Sequence, residues 1–206
     1  MKGRDAEEKQ TFIADARRAQ IFEATIRTLD EIGYIRASMA QIAKRAGISA
    51  ALISYHYRDK NDLMDYALMK LATDLSSSVL ERTAAASGPR EKLQAYIEAS
   101  IAYQAENPAR STALIEIVFH ARTADGMPYY KLQDDEDDPL ENELRRILRL
   151  GQEQGEFGAF DLDAMASAIR GALDEYGFNV KLKARIDPIR FSQELVDLFS
   201  RAIGHR

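Results

Sequence analysis

The sequence contains no cysteine, which excludes disulfide bonds, thiolate metal sites and cysteine nucleophiles. No apolar run approaches the length needed to cross a bilayer, and segment 1–19 is charged throughout, without the apolar stretch of a secretion signal. We therefore expect a cytoplasmic protein. With 206 residues, 46% of them hydrophobic, the chain can form one substantial core or a small domain fused to a larger one.

The motifs of common enzyme classes are also missing. The sequence has no phosphate-binding loop, no Gly-x-Ser-x-Gly elbow, no His-Glu-x-x-His pair and no dinucleotide fingerprint. Glu116 and His120 stand one helical turn apart, but one carboxylate and one imidazole make an incomplete metal site. The acidic run 134–138 lacks the alternating ligands and the glycine of a calcium loop. These absences predict no enzyme, no metal and no cofactor.

Charge is unevenly distributed along the chain, whose formal net charge is −5. Residues 1–62 contain 11 Lys and Arg against 9 Asp and Glu, whereas the remainder contains 17 against 24. Because phosphate binding needs positive potential at the contact face, this division suits a DNA-binding head joined to an acidic body. A difference of this size also arises by chance, so charge alone leaves the function open.

Apolar residues recur at helical spacing almost throughout, and no alternation of apolar and polar residues is long enough for a sheet. This pattern predicts an all-α fold of about nine helices, whose ends are indicated by capping residues, glycines and prolines. Counted from their caps, the predicted helices span about 16–32, 38–46, 49–57, 59–83, 90–106, 109–123, 139–150, 161–184 and 187–203, with a solvated loop at 124–138.

Segment 38–57 has the pattern of a helix-turn-helix, which needs two short helices, a turn residue that tolerates positive φ and small side chains where the helices touch. Gly47 fits the turn, while Ala43 and Ala46 allow close approach. The apolar positions that would pack on the preceding helix are Ile42, Ile48, Ile53 and Tyr57. An amphipathic hairpin without a DNA-binding role is the alternative, since Ala-Gly turns occur in many helical bundles.

The opposite side of the second short helix would be free to enter a major groove, because its residues are mostly small or able to hydrogen-bond. Hydroxyls at the helix N-termini and nearby cations, including Arg45, favour phosphate contacts. The candidate DNA-binding residues are Ser38, Lys44, Ser49, Ala50, Ala51, Leu52, Ser54, Tyr55, His56 and Lys60.

Residues 18–63 resemble the N-terminal domain of the TetR family of bacterial repressors. The matching positions are Ile21, Ala24, Gly33, Tyr34, Ser38, Ile42, Ala43, Ala46, Gly47, Ile48, Ser49, Ile53, Tyr55, His56, Tyr57, Lys60 and Leu63. Two positions depart from the family: Ala51 replaces a frequent glycine, and Ser54 replaces a tyrosine that often contacts the DNA backbone. We expect Tyr55 to take over that phosphate contact.

The resemblance implies a DNA-binding domain at 1–62 and a helical ligand-binding and dimerisation domain at 63–206. It further implies a homodimer that binds a palindromic double-stranded DNA operator and is released by a small-molecule effector, usually as a repressor. Side chains that mix apolar bulk with polar tips would line the effector pocket. These candidates are Tyr96, Ser100, Tyr103, Glu116, Phe119, His120, Tyr176 and Asn179, each of which could instead be a core or surface residue.

The two C-terminal helices, near 161–184 and 187–203, carry more apolar positions than one internal contact needs. These positions are Met165, Ile169, Ala172, Leu173, Tyr176, Phe191, Leu195, Leu198, Phe199 and Ala202. They favour dimerisation, because twofold symmetry matches palindromic half-sites. A plain buried core would give the same pattern, and a helical scaffold that binds a protein partner, or a small-molecule enzyme, remains an alternative function.

Overall fold

The structure, a computed structural model, describes residues 2–131 and 138–204, with side chains from residue 12 onward. Within these ranges the chain is helical, and the only extended pairing is an isolated antiparallel bridge between Arg122 and Pro128. The helices are α1 (Lys2–Arg36), α2 (Met39–Ala46), α3 (Ala50–His56), α4 (Lys60–Ala84), α5 (Pro89–Glu106), α6 (Pro108–His120), α7 (Pro139–Glu153), α8 (Leu162–Phe178), α9 (Val180–Lys183) and α10 (Pro188–Ala202). The all-α prediction is confirmed.

Short polar side chains begin most of the helices, as the sequence predicts. Ser38 and Ser49 accept backbone N–H bonds at the starts of α2 and α3, and Asp161 and Asp187 do so for α8 and α10. These bonds satisfy amides that have no partner within the helix. The start of each of these helices is therefore determined by a residue next to it in the sequence.

Two predicted helices are wrong in extent. Helix α1 begins at Lys2 rather than near Ala16, because the charged segment before Ala16 has no apolar stripe to reveal it yet is rich in residues of high helix propensity. The helix predicted at 161–184 breaks at Asn179, whose side chain caps α9 by accepting the Leu182 N–H at 2.9 Å. The described residues thus form ten α-helices instead of nine, together with a short 3-10 helix at Tyr129–Lys131.

Two compact units make up the chain: Met1–Leu71 with Thr112–Leu132, and Ala72–Ser111 with Gln133–Arg206. We call them the head unit and the body unit. The boundaries fall inside α4 and inside α6. The predicted division at 62/63 concerns DNA-binding and ligand-binding functions, and it stays a prediction.

The body unit has a large apolar core. Helix α5 lies at its centre and packs on α7, α8 and α10. The core residues include Leu93, Ile97, Ile101, Leu144, Ile147, Leu148, Phe157, Ile169, Leu173, Leu195, Phe199 and Ile203, all at most 7% exposed. Gly151 has the Phe157 ring directly against it, where a Cβ atom would lie 2.0 Å from the ring. Close packing therefore requires glycine at this position.

Polar bonds connect the start of α7 to α5 and α8. Arg170 donates to Asp138 at 3.0 Å, and Tyr96 donates to the backbone carbonyl of Leu140 at 3.2 Å. The acidic run 134–138 lies outside the described residues except for Asp138, which caps α7. No helix among the described residues is long and apolar enough to span a membrane.

Candidate nucleic-acid interface

The turn between α2 and α3 has the geometry that the sequence predicts. Gly47 adopts φ 67° and ψ 32°, the left-handed conformation that favours glycine. The Ile48 N–H then reaches back to the Ala43 carbonyl at 3.0 Å, which satisfies a carbonyl at the end of α2. The turn sets the angle at which α3 leaves α2.

One side of the α2–α3 pair is anchored in the core of the head unit. Ile42 and Ile53 are fully buried, and Tyr57 is 5% exposed, whereas Ile48 is half-buried. Gln20 of α1 donates to the Ala46 carbonyl at the end of α2. Burial and this bond hold the pair against α1, so the other side of α3 faces outward.

The outward side of α3 carries the predicted groove-facing residues. Ala50, Ala51, Ser54 and Tyr55 are exposed, and Tyr55 is 81% exposed. An exposed tyrosine beside small side chains suits a surface that receives a phosphate backbone and a groove wall. Two further candidates, Leu52 and His56, are half-buried.

The capping serines have an acceptor role within the protein. Ser49 accepts the Leu52 N–H at 3.2 Å, and Ser38 accepts the Gln41 N–H at 3.3 Å. The Ser38 hydroxyl also donates to the Gln41 side chain at 2.8 Å. The helix N-termini they cap still present positive dipole ends toward solvent-exposed positions.

A pair of arginines near His56 was missed at the sequence level. The pKa of His56 is lowered by burial and then by the positive charges of Arg18 and Arg17 on α1. Sequence periodicity could not show that Arg17 and Arg18 lie near His56, because these residues are about forty positions apart and belong to different helices. Lys44 on α2 is exposed as well, and cations of this kind are the side chains that contact phosphates.

Two other cations are already engaged within the head unit. Arg45 forms a two-pronged ion pair with Glu31, one of whose bonds is 2.7 Å long, and this pairing raises the pKa of Arg45. The ammonium of Lys60 donates to the Tyr34 carbonyl at 2.5 Å and lies 4.0 Å from the centre of the Tyr34 ring. Lys60 therefore has a structural partner in the free protein.

The predicted effector residues divide between the two units. Glu116, Phe119 and His120 belong to the head unit, and the other five belong to the body unit. In the body unit, the Ser100 hydroxyl donates to the Tyr96 carbonyl at 2.7 Å, and Tyr176 stacks on Phe191 with ring centres 5.2 Å apart. Their polar and aromatic groups thus have partners inside the protein.

Tyr103 differs from these residues. Its hydroxyl is buried and has no hydrogen-bond partner among the described residues. Burial and the charge of Asp74 raise its pKa, while Arg110, which donates to Asp74 at 3.0 Å, acts in the opposite direction. A buried hydroxyl without a partner costs about 1–3 kcal/mol, so a bound molecule with an acceptor could satisfy it.

The body unit also has an open groove of about 420 Å³ beside α5 and α10. Its lining includes Arg82, Glu98, Ala102, Glu106, Ile189 and Gln193. None of the predicted effector residues lines it. Across the described ranges, no cluster of three or more His, Cys, Asp or Glu side chains could hold a metal ion.

Comparison with known proteins decides the family. Residues 21–67 match the model of the bacterial regulatory proteins of the tetR family, and residues 89–180 match that of the C-terminal domain of BetI-type transcriptional repressors. The HTH-type transcriptional regulator BetI of Yersinia pestis (strain Pestoides F) is 32% identical over 79% of this chain and 84% of its own. The chain belongs to the TetR family.

A second relative supports the same assignment for this TetR-family regulator. The BetI regulator of Ectopseudomonas mendocina (strain ymp) is 33% identical and covers 82% of this chain and 89% of its own. Matches that cover most of both chains extend through the body unit, where the sequence offered only helix count and length. The predicted function as a transcriptional regulator rather than an enzyme is confirmed by these relatives.

Solved structures confirm the fold. A tetR-family regulatory protein from Rhodococcus RHA1 superposes with a TM-score of 0.79 at 19% identity and covers 92% of this chain and 98% of its own. The regulator FadR from Bacillus subtilis, solved in complex with stearoyl-CoA, gives a TM-score of 0.76 at 20% identity, with coverage of 88% and 97%. At these identities the likeness concerns the fold of the TetR-family regulator.

Proposed function

We propose that this TetR-family regulator is a ligand-responsive repressor that binds a palindromic operator as a homodimer. The observation that carries the proposal is the outward side of α3, where Ala50, Ala51, Ser54 and Tyr55 are exposed beside the capped starts of α2 and α3. As a DNA-binding regulator it would act in the cytoplasm.

Within this proposal the exposed residues have separate roles. Ala50, Ala51 and Leu52 approach base edges and thymine methyls, and Ser54 bonds a base edge or a phosphate. Tyr55, Lys44 and the helix starts at Ser38 and Ser49 contact phosphates, with His56 beside them. Lys60 supports the Tyr34 backbone instead of a phosphate, since its ammonium is already bonded there.

A titration of the full chain against the DNA upstream of its own gene, followed by fluorescence anisotropy, tests the proposal. We expect salt-sensitive binding that weakens as counterions compete for the phosphates. A helical scaffold for a protein partner would give no such binding. Absence of salt-sensitive binding to any genomic fragment would contradict DNA recognition.

For the homodimer, the structure changes the residues on which the argument depends. Half of the ten apolar positions cited from the sequence, including Ile169, Leu173 and Phe199, are buried in the chain's own core. The exposed positions on α8 and α10 include Leu198, which the sequence argument named, and also Phe178 and the small residues at 164, 168 and 171, which it did not. Small residues allow two helices to approach closely, so we propose this surface as the dimer contact.

Gly171 offers a clean test of the dimer. A Cβ atom at this position would meet no atom of its own protomer within 4 Å, so a side chain introduced here starts from open space. We expect Gly171→Leu to shift the protein toward monomers in analytical ultracentrifugation, whereas Gly171→Ala should remain dimeric. If both variants sediment as the unmodified protein does, the contact lies elsewhere.

For the effector, Tyr103 is the candidate that the body unit supports best, with Tyr96, Ser100, Tyr176 and Asn179 as its predicted neighbours in the pocket. Removing the unpartnered hydroxyl in Tyr103→Phe should leave stability unchanged or slightly higher. Screening a metabolite library by thermal shift should identify compounds that stabilise the unmodified protein more than Tyr103→Phe. Compounds that stabilise both proteins equally would exclude Tyr103 as an effector contact.

A further inference from the structure

The end of α1 has a backbone conformation that glycine alone readily adopts. Gly33 has φ 74° and ψ 168°, a region from which a Cβ atom excludes other residues. A Cβ atom at this position would also lie 3.1 Å from the Glu116 Oε2 atom. The helical path of α1 is kinked here, and the chain reaches Ser38, the cap of α2, within five residues.

The conformation at Gly33 directs the next peptide group at a carboxylate. The Tyr34 N–H donates to Glu116 Oε2 at 2.7 Å, across 82 positions of sequence. A carboxylate that accepts a backbone N–H makes a charge-assisted bond, which is stronger than a neutral one. The Glu116 side chain is only 25% exposed, so water competes weakly for it.

Two more side chains hold Tyr34 in place. His120, one turn beyond Glu116 on α6, has its Nδ1 atom 3.4 Å from Glu116 Oε2, and its ring stacks on the Tyr34 ring at 6.4 Å. From α4, the Lys60 ammonium donates a hydrogen bond to the Tyr34 carbonyl. Both backbone polar groups of Tyr34 therefore bond to side chains from other helices. We call Gly33, Tyr34, Lys60, Glu116 and His120 the junction clasp.

We infer that Glu116 is a positioning residue for DNA binding, which holds the junction between α1 and α2 and thereby the orientation of the α2–α3 pair. The inference rests on the proposed function, because it presumes that the α2–α3 pair binds DNA. It adds that α6, which lies outside α1–α3, contributes to that binding. Glu116 contacts no DNA in this account. The sequence predicts Glu116 as an effector residue, whereas its contacts in the junction clasp favour a positioning role.

A positioning residue and a phosphate-binding residue affect DNA binding in different ways. Loss of positioning lowers the fraction of protein in the competent conformation, which weakens the apparent affinity by the same factor at every salt concentration. Loss of a phosphate contact made by a lysine or arginine reduces the magnitude of the slope of log affinity against log salt by about 0.9. The salt slope therefore distinguishes the two roles.

The test compares Glu116→Ala, Glu116→Gln and Lys44→Ala in the full chain, with the same upstream duplex in a series of salt concentrations. We expect Glu116→Ala to bind about tenfold more weakly with an unchanged slope, because a charge-assisted bond to the junction is lost. Glu116→Gln should recover most of the affinity, since its amide oxygen can accept the Tyr34 N–H. Lys44→Ala should lower the slope.

Hydrogen exchange of the free protein is the second arm. In Glu116→Ala, peptides that cover residues 33–38 should exchange faster than in the unmodified protein, while peptides of the body unit should be unaffected. Unchanged exchange and unchanged affinity in Glu116→Ala would overturn the inference, as would a reduced salt slope. If the unmodified protein binds no DNA, the proposed function fails instead, and the exchange arm shows separately whether Glu116 holds the junction.

Discussion

The α2–α3 pair of the head unit is shaped by local features, namely two serine caps and a left-handed glycine, and is held by the burial of Ile42 and Ile53 and by polar bonds to α1. The helices of the body unit are instead held by a continuous apolar core around α5. Substitutions at the glycines and on the outward side of α3 should therefore act through backbone geometry and DNA affinity, whereas substitutions in the body-unit core should act through packing and global stability.

The largest effect is expected in the body unit, at Gly151. Gly151→Ala places a methyl group against the Phe157 ring, and overpacking of this kind should cost about 3 kcal/mol of unfolding free energy. The control is Gly171→Ala, whose Cβ atom would meet no atom of its own protomer within 4 Å and which should stabilise the helix by about 0.5–1 kcal/mol. Urea denaturation measures both. Equal stabilities would show that the ring moves aside freely.

The next largest effect is expected at the glycines of the head unit. Gly33→Ala combines a glycine-only conformation with a close approach to Glu116 and should cost about 2–3 kcal/mol. Gly47→Ala adopts the milder left-handed conformation in open space and should cost about 1 kcal/mol. Thermal unfolding of the two variants provides the comparison. A larger loss at Gly47 would contradict the strain assigned to the junction.

A smaller effect should distinguish the phosphate-contacting residue of α3 from its base-contacting residue. Tyr55→Ala should weaken binding to every duplex by about fivefold to tenfold without changing the preference among base pairs, because a phosphate contact is lost. Ala51→Ser should instead alter the preference among base pairs while it leaves the salt slope unchanged. Anisotropy titrations with matched duplexes measure both properties. Identical behaviour of the two variants would argue against separate roles.

The smallest effect concerns pH. In the free protein the pKa of His56 lies below its ordinary value of 6.5, so the ring is neutral at pH 7. A nearby DNA phosphate would raise that pKa, and binding would then take up a proton. The affinity for DNA should therefore rise by about twofold to fivefold as pH falls from 7.5 toward 6. This gain in affinity should disappear when the pH is raised again. His56→Gln should bind with a flatter pH dependence, and an unchanged profile would remove His56 from the interface.

The sequence could predict the features whose signals are local. The caps at Ser38 and Ser49 and the turn at Gly47 lie within about ten residues, and the structure confirms each of them. The Tyr34–Glu116 bond joins residues 82 positions apart, so periodicity on α6 indicated only an inward stripe with polar tips. For the same reason the sequence grouped Glu116 and His120 with Tyr96 and Tyr176, although they belong to different units.

The C-terminal helices illustrate a second limit. An apolar stripe shows that a helix face is buried, but it does not show whether the partner is the same chain or another copy. Burial of Ile169, Leu173, Leu195 and Phe199 within the protomer could be established only from the packed structure. The break at Asn179 was missed because the residue is neither glycine nor proline and its capping bond depends on the local backbone.

Selection of duplexes from a random library by the unmodified protein tests the central claim most directly. If α3 of a twofold dimer reads successive major grooves, the enriched sequences should converge on a palindrome whose half-sites lie about one helical turn, or a multiple of it, apart. Ala51→Ser should shift the preferred bases at matching positions in both half-sites. Recovery of sequences with no common motif, or of a motif that Ala51→Ser leaves unchanged, would contradict the assignment of α3 as the DNA-reading helix.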